Sequence, residues 1–91
     1  MIPVITTVQI ISEAGALETK GANAITFYNT GGATLYINAV LILPGSFFEI
    51  RHNINEADIT DYNARFVDAD PANPQQRQLT LITKKYADNA Q

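Results

Sequence analysis

Cysteine and tryptophan are both absent from these 91 residues, and histidine and methionine occur once each. Without cysteine there can be no disulfide and no thiolate metal site, which excludes a disulfide-stapled secreted module. A single imidazole, His52, leaves any serine or threonine nucleophile with one candidate base. Charge is scarce as well. Charged residues make up 16% of the chain, and six Lys and Arg against nine Asp and Glu leave a net −3. Phosphate binding needs a clustered positive surface, and Lys84-Lys85 is the only adjacent basic pair, so no nucleic-acid partner is expected. No apolar run approaches the length of a membrane span. The longest, Ala39 to Pro44, suits a strand, so no membrane partner is expected either. The opening MIPVITTVQI has no basic residue and carries Thr6, Thr7 and Gln9 where a signal peptide needs an apolar core. The expectation is a chain made and kept in the cytoplasm.

What is present is apolar and β-branched. A hydrophobic content of 46% is that of a globular chain, and the length allows one domain spanning 1–91. Val4 to Ile11, VITTVQII, reads as a first strand, giving an N-terminal strand or arm over residues 1–11. Ser12 to Asn23 holds two glycines and reads as a loop. Ala24 to Tyr28 alternates, with Ile25 and Phe27 opposed to Thr26 and Tyr28. Asn29-Thr30-Gly31-Gly32 reads as a hairpin turn into a strand over Thr34 to Ile37. Two readings of Asn38-Ala39 stay open: a second hairpin, strained if Ala39 takes a positive φ, or one bulged strand from Thr34 to Leu43. Pro44-Gly45 fits the centre of a type II turn. Ser46 to Arg51, Asp61 to Val67 and Gln78 to Lys85 read as further strands. In the last two, Tyr62, Ala64 and Phe66, then Leu79, Leu81 and Thr83, share faces. His52 to Thr60 is a polar connection, Asp68 to Arg77 a loop with two prolines, and Asp88 to Gln91 a frayed end. The expected fold is therefore all-β, a small antiparallel β-sandwich or jelly-roll-like barrel of six to seven strands.

No catalytic constellation stands out. Ser12 lies in a loop and Ser46 follows a Pro-Gly turn, neither in a G-x-S-x-G context. Asp58 with Asp61, and Asp68 with Asp70, sit in polar loops where Asp supports turns. The second pair lacks the glycine and terminal Glu of an EF-hand loop. Thr30-Gly31-Gly32-Ala33 lacks the Lys-Ser/Thr of a phosphate loop. His52 reads as a surface or loop residue. The expectation is a non-enzyme with no cofactor and no metal.

The apolar surplus carries the functional expectation. In a lone sandwich one face of each strand should be polar, yet Ala39 to Leu43 is apolar at consecutive positions and Phe47-Phe48 must point to opposite sides. Val4, Ile5, Ile10, Ile11, Tyr28, Tyr36 and Leu41 add to the excess. Loops could fold over these residues. Alternatively, an outer face packs on identical copies or on a larger scaffold, where buried aromatics dominate interface energy. A carbohydrate-binding or adhesin-like module stacking sugars on Tyr28, Tyr36 and Tyr62 is the rival reading, weakened by the lack of tryptophan and by Tyr62 sharing a face with Phe66.

Asn29-Thr30-Gly31, Leu35-Tyr36-Ile37-Asn38, Leu43-Pro44-Gly45 and Phe47-Phe48, followed by an aromatic strand through Phe66 and by Leu79 to Tyr86, form an ordered set of motifs. In that order, over about Ala24 to Tyr86, the chain resembles small β-sandwich proteins of tailed bacteriophage virions. It departs from them at Asn38-Ala39, where the pattern has Asn-Gly. The resemblance implies a virion protein made in the host cytoplasm: a capsid auxiliary or decoration protein, or else a neck, tail or fibre-base subunit. Its implied partners are the major capsid protein or other virion subunits, as a homo-oligomer or in many copies on a larger assembly. The interface residues expected on these grounds are Val4, Ile5, Tyr28, Tyr36, Leu41, Phe47, Phe48 and Tyr86, and loss of the N-terminal strand or Phe48→Ser is expected to abolish incorporation.

Overall fold

The computed structural model describes residues 3–53, 55–67 and 76–86. Among the described residues eight strands form, in chain order β1 (Val4–Ile11), β2 (Gly15–Ala16), β3 (Ala24–Asn29), β4 (Thr34–Ile37), β5 (Val40–Ile42), β6 (Phe47–Arg51), β7 (Asn63–Val67) and β8 (Leu79–Tyr86). They build two antiparallel four-stranded sheets, a front sheet in the order β1-β8-β3-β6 and a back sheet in the order β2-β7-β4-β5. The fold is the small β-sandwich expected. The strand beyond the expected seven is β2, two residues inside the segment read as a loop.

Period-two alternation places the core. In the front sheet Ile25 and Phe27 of β3 and Leu79 and Leu81 of β8 face inward. Leu35 and Ile37 of β4, Ile42 of β5 and Ala64 of β7 meet them from the back sheet. Each large aliphatic or aromatic side chain so buried contributes about 1.5–3 kcal/mol. Phe27 is the hub, stacked at 6.4 Å on Phe48, its partner in β6, and tilted at 5.2 Å against Tyr62.

The turns differ from the sequence reading in an instructive way. β3 and β4 lie in different sheets, so Asn29-Thr30-Gly31-Gly32 is an arch between layers rather than a hairpin. Pro44-Gly45 also crosses between sheets, keeping its type II geometry: Ser46 N donates to Leu43 O at 2.9 Å and Gly45 has φ 83°. The tight hairpin is the one left open, with Ile37 paired to Val40 around Asn38-Ala39. Its positive φ, 54°, falls on Asn38, which tolerates it, and Ala39 escapes the strain that the sequence reading assigned to it. Residues 24–51 are therefore one long hairpin folded over at its middle, so that β3 with β6 lies in front and β4 with β5 behind.

Asn29 holds that fold line. Its side chain is fully buried, and Nδ2 donates to Ala33 O at 2.8 Å and to Ile42 O at 2.9 Å. Its backbone exchanges hydrogen bonds with the β5–β6 turn, Asn29 N to Ser46 O at 3.0 Å and Gly45 N to Asn29 O at 2.9 Å. Gly31 is required at the arch because a Cβ there would lie 2.2 Å from Gln76 O. Gly31→Ala is accordingly expected to displace the 76–78 backbone, read as lost amide protection at Gly31 and Ala33, which donate to Gln78 O and Gln76 O. Retained protection in that variant would mean the arch yields without cost. The expected Asp68-Asp70 pair, residues 68–75 of the proline-containing loop and the frayed end at 88–91 lie outside the described residues.

Candidate interaction surface

The ladders fix which side chains share the outer face of the front sheet. Register aligns Ile10, Thr80, Tyr28 and Phe47 in one row across β1, β8, β3 and β6, and Val8, Ile82, Thr26 and Glu49 in the next. A third row, Thr6, Lys84, Ala24 and Arg51, is polar, with Val4 and Tyr86 beside it. The face thus splits into an apolar end and a charged end. Phe47 is 63% exposed, Ile10 62% and Val8 58%, and Tyr28 meets Phe47 edge-on with ring centroids 6.3 Å apart. At the charged end Arg51 Nε lies 3.2 Å from Glu49 Oε2, which also accepts from Thr26 Oγ1 at 3.4 Å. Exposed apolar side chains in contiguous rows, rimmed by polar ones, have the anatomy of a protein-binding patch.

The expected interface residues do not all fall on this face. Val4, Tyr28, Phe47 and Tyr86 do. Tyr36 and Leu41 pair with each other on the outer face of the back sheet, where the Arg65 guanidinium covers the Tyr36 ring at 4.4 Å. Ile5 projects to the inner side of β1, beyond the cover of the back sheet, into an open cleft of about 610 Å³ that Lys20 and Lys85 also line. Phe48 also faces inward, on Phe27, at the core's margin. Phe48→Ser therefore removes core packing, and Phe47 is the residue whose loss reports on the surface alone. Val8 belongs to the patch and escaped the sequence reading, because alternation identifies two faces without saying which one is covered.

The chemistry-bearing candidates are spread out. Ser46 and His52 flank opposite ends of β6, about 20 Å apart at the usual rise per residue. His52 N donates to Asn23 O, whereas Ser12 follows Ile11, whose β8 partner Leu79 pairs with Asn29 at the other end of β3. Neither serine therefore meets the imidazole. Instead His52 Nε2 contacts Asp58 Oδ2 at 2.9 Å, an oxygen that also accepts from Tyr62 OH at 2.8 Å, while Oδ1 accepts from Thr60 N at 2.8 Å. Asp58 is buried, and Asp61 is drawn away to Lys20 at 3.0 Å. Burial by itself would raise the Asp58 carboxyl; the hydrogen bonds from His52, Thr60 and Tyr62 outweigh it and hold the group at about 2, below the ordinary 3.8. Burial, and then the neighbouring Asp58 carboxylate, raises the Tyr62 phenol. This cluster ties the 52–62 connection to the core. Among the described residues no three His, Asp or Glu side chains gather as metal ligands.

A sign follows for the pH dependence. Because the folded carboxyl titrates below the unfolded one, its contribution is complete above pH 3.8 and is lost as pH falls towards about 2. Wild type is expected to lose its thermal advantage over Asp58→Asn across that interval, measured by melting at successive pH values. A constant gap between the two proteins down to pH 2 would show that the carboxylate is not the source.

The class these features define is a two-sheet antiparallel β-sandwich with an exposed apolar sheet face. No helix among the described residues is long and apolar enough to cross a membrane. No family model matches the chain, and neither a curated protein nor a solved structure matches it.

Proposed function

We propose that this protein is a non-enzymatic structural subunit that binds other protein subunits through the outer face of its front sheet. The setting is the one its resemblance implies, the virion of a tailed bacteriophage, where it would stabilise the shell by burying area against the major capsid protein or its neighbours. The observation that supports this reading is the set of exposed apolar side chains on one face, Val8 and Ile10 on β1 and Tyr28 and Phe47 across β8 from them, which a solitary sandwich has no reason to leave wet. A neck, tail or fibre-base position would use the same surface. The sugar-binding alternative is less well served, since Tyr62 is buried and Tyr36 lies under Arg65.

Phe47→Ser is the test. The side chain is mostly exposed, so stability should stay within about 0.5 kcal/mol of wild type. Binding should weaken at least about tenfold, as for a central aromatic anchor, read as occupancy on assembled particles by quantitative mass spectrometry. Wild-type occupancy of a Phe47→Ser, Ile10→Ser double variant would sink the assignment.

A further inference from the structure

Four strands bound the two sheets, and three of them are protected against pairing with another chain. β2 has two residues, β5 has three, and β6 carries the Glu49–Arg51 ion pair with the guanidinium exposed and the carboxylate half-buried. Short length and edge charge are the devices by which sheets avoid edge-to-edge association. β1 has neither. It runs eight residues without charge, proline, glycine or bulge, and seven of the eight, VITTV and II, are β-branched. One edge of β1 pairs along its whole length with β8; among the described residues its other edge has no strand beside it and no loop backbone bonded to it. Most of its side chains are exposed on both faces.

We infer that β1 pairs antiparallel with β1 of a second copy of this chain, about a two-fold axis perpendicular to the sheet. The occupant follows from the other edges: β1 against β2 or β5 would leave most of its backbone unpaired, and against β6 it would meet the ion pair. Only β1 with β1 satisfies both partners, and a two-fold contact closes without leaving a bare edge to propagate. The strand suits itself, because β-branched cross-strand pairs are among the favoured ones and no like charges are opposed. Parity also agrees. Residues directly opposite in an antiparallel pair point to the same side, so this axis matches even positions with even and joins Val8 and Ile10 of both copies into one apolar surface. The inference deepens the structural role proposed above by naming a partner, and rests on that reading only in taking assembly as the protein's task.

Sedimentation of the purified chain is expected to give about 20 kDa, twice the 10.0 kDa protomer. Thr7 lies on the cleft side of β1, away from the apolar patch, so Thr7→Glu should raise the dissociation midpoint at least about tenfold, by the edge-charge device, and leave the outer face intact. Hydrogen exchange on wild type supplies an independent reading. In the monomer alternate β1 amides, those turned away from β8, should exchange freely; in the dimer all of β1 should be protected. A 10.0 kDa species persisting to about 1 mM, the weak limit of specific association, overturns the inference, as does a dimer whose outward β1 amides still exchange freely. The Phe47→Ser occupancy assay probes the opposite edge strand, β6, so either proposal can fail without the other.

Discussion

Asp58→Ala is expected to lower the melting temperature by roughly 12–25 °C, corresponding to about 3 kcal/mol in a domain of this size. The carboxylate joins three groups: the His52 ring, the Thr60 amide and the Tyr62 hydroxyl. Removing it leaves the buried Tyr62 hydroxyl without its acceptor, and an orphaned buried donor costs about 1–3 kcal/mol by itself. The Asp58 backbone meanwhile stays bridged to Ala22 and Gly21, so the loop cannot swing out to find water for the stranded groups. Tyr62→Phe should cost about 1 kcal/mol, and the double variant should cost clearly less than the sum, because both changes break the same bond. Calorimetry on the four proteins checks this. An Asp58→Ala protein melting within about 2 °C of wild type would show the cluster to be ornamental.

Asn29→Ala is expected to cost about 2–4 kcal/mol, a large share of the margin of a domain this small. The amide bridges the layers, reaching Ala33 O beside the arch and Ile42 O on β5. Its oxygen also accepts from Gly31 N at 3.2 Å, closing the arch on itself. Alanine would leave two buried carbonyls short of a donor at the line where the long hairpin folds over. Denaturant titration should show the loss as a lower midpoint with an unchanged slope, since the surface exposed on unfolding is the same. A midpoint within error of wild type would mean that the backbone bonds to Ser46 and Gly45 hold the fold line alone.

Both residues support the turns that the sequence indicates, with Gly31 N donating to Asn29 Oδ1 and Thr60 N to Asp58 Oδ1, but their burial is not legible in it. Asn29 stands in an Asn-x-Gly string and Asp58 in a polar connection, and both contexts read as turn chemistry. Whether such a side chain faces water or the core depends on which layer the next strand joins, and local sequence does not encode that. Strand positions were legible where alternation was clean: β1 and β4 have the boundaries expected, and Leu79, Leu81, Ala64 and Phe27 lie on the faces assigned to them. Gly15–Ala16 offered no alternation to read, and its pairing to Ala64 and Asn63 is imposed by β7. The choice between Phe47 and Phe48 was likewise undetermined. It is decided by the register of β6 on β3, which sets Phe48 opposite Phe27 and leaves Phe47 beside Tyr28.

The place of β8 in the front sheet sets a timetable for synthesis. Residues 79–86 lie between β1 and β3, so those two strands do not pair with each other; β3 already has its ladder with β6, whereas β1 has no strand to join until β8 has been made. Until β8 is made the nascent chain carries VITTVQII as an unpaired, uncharged ribbon, and a chaperone holding it back would act on that segment first. A transcript truncated before Leu79 would yield a front sheet reduced to the β3–β6 ladder with β1 left unpaired, a product open to aggregation or proteolysis rather than a smaller working subunit.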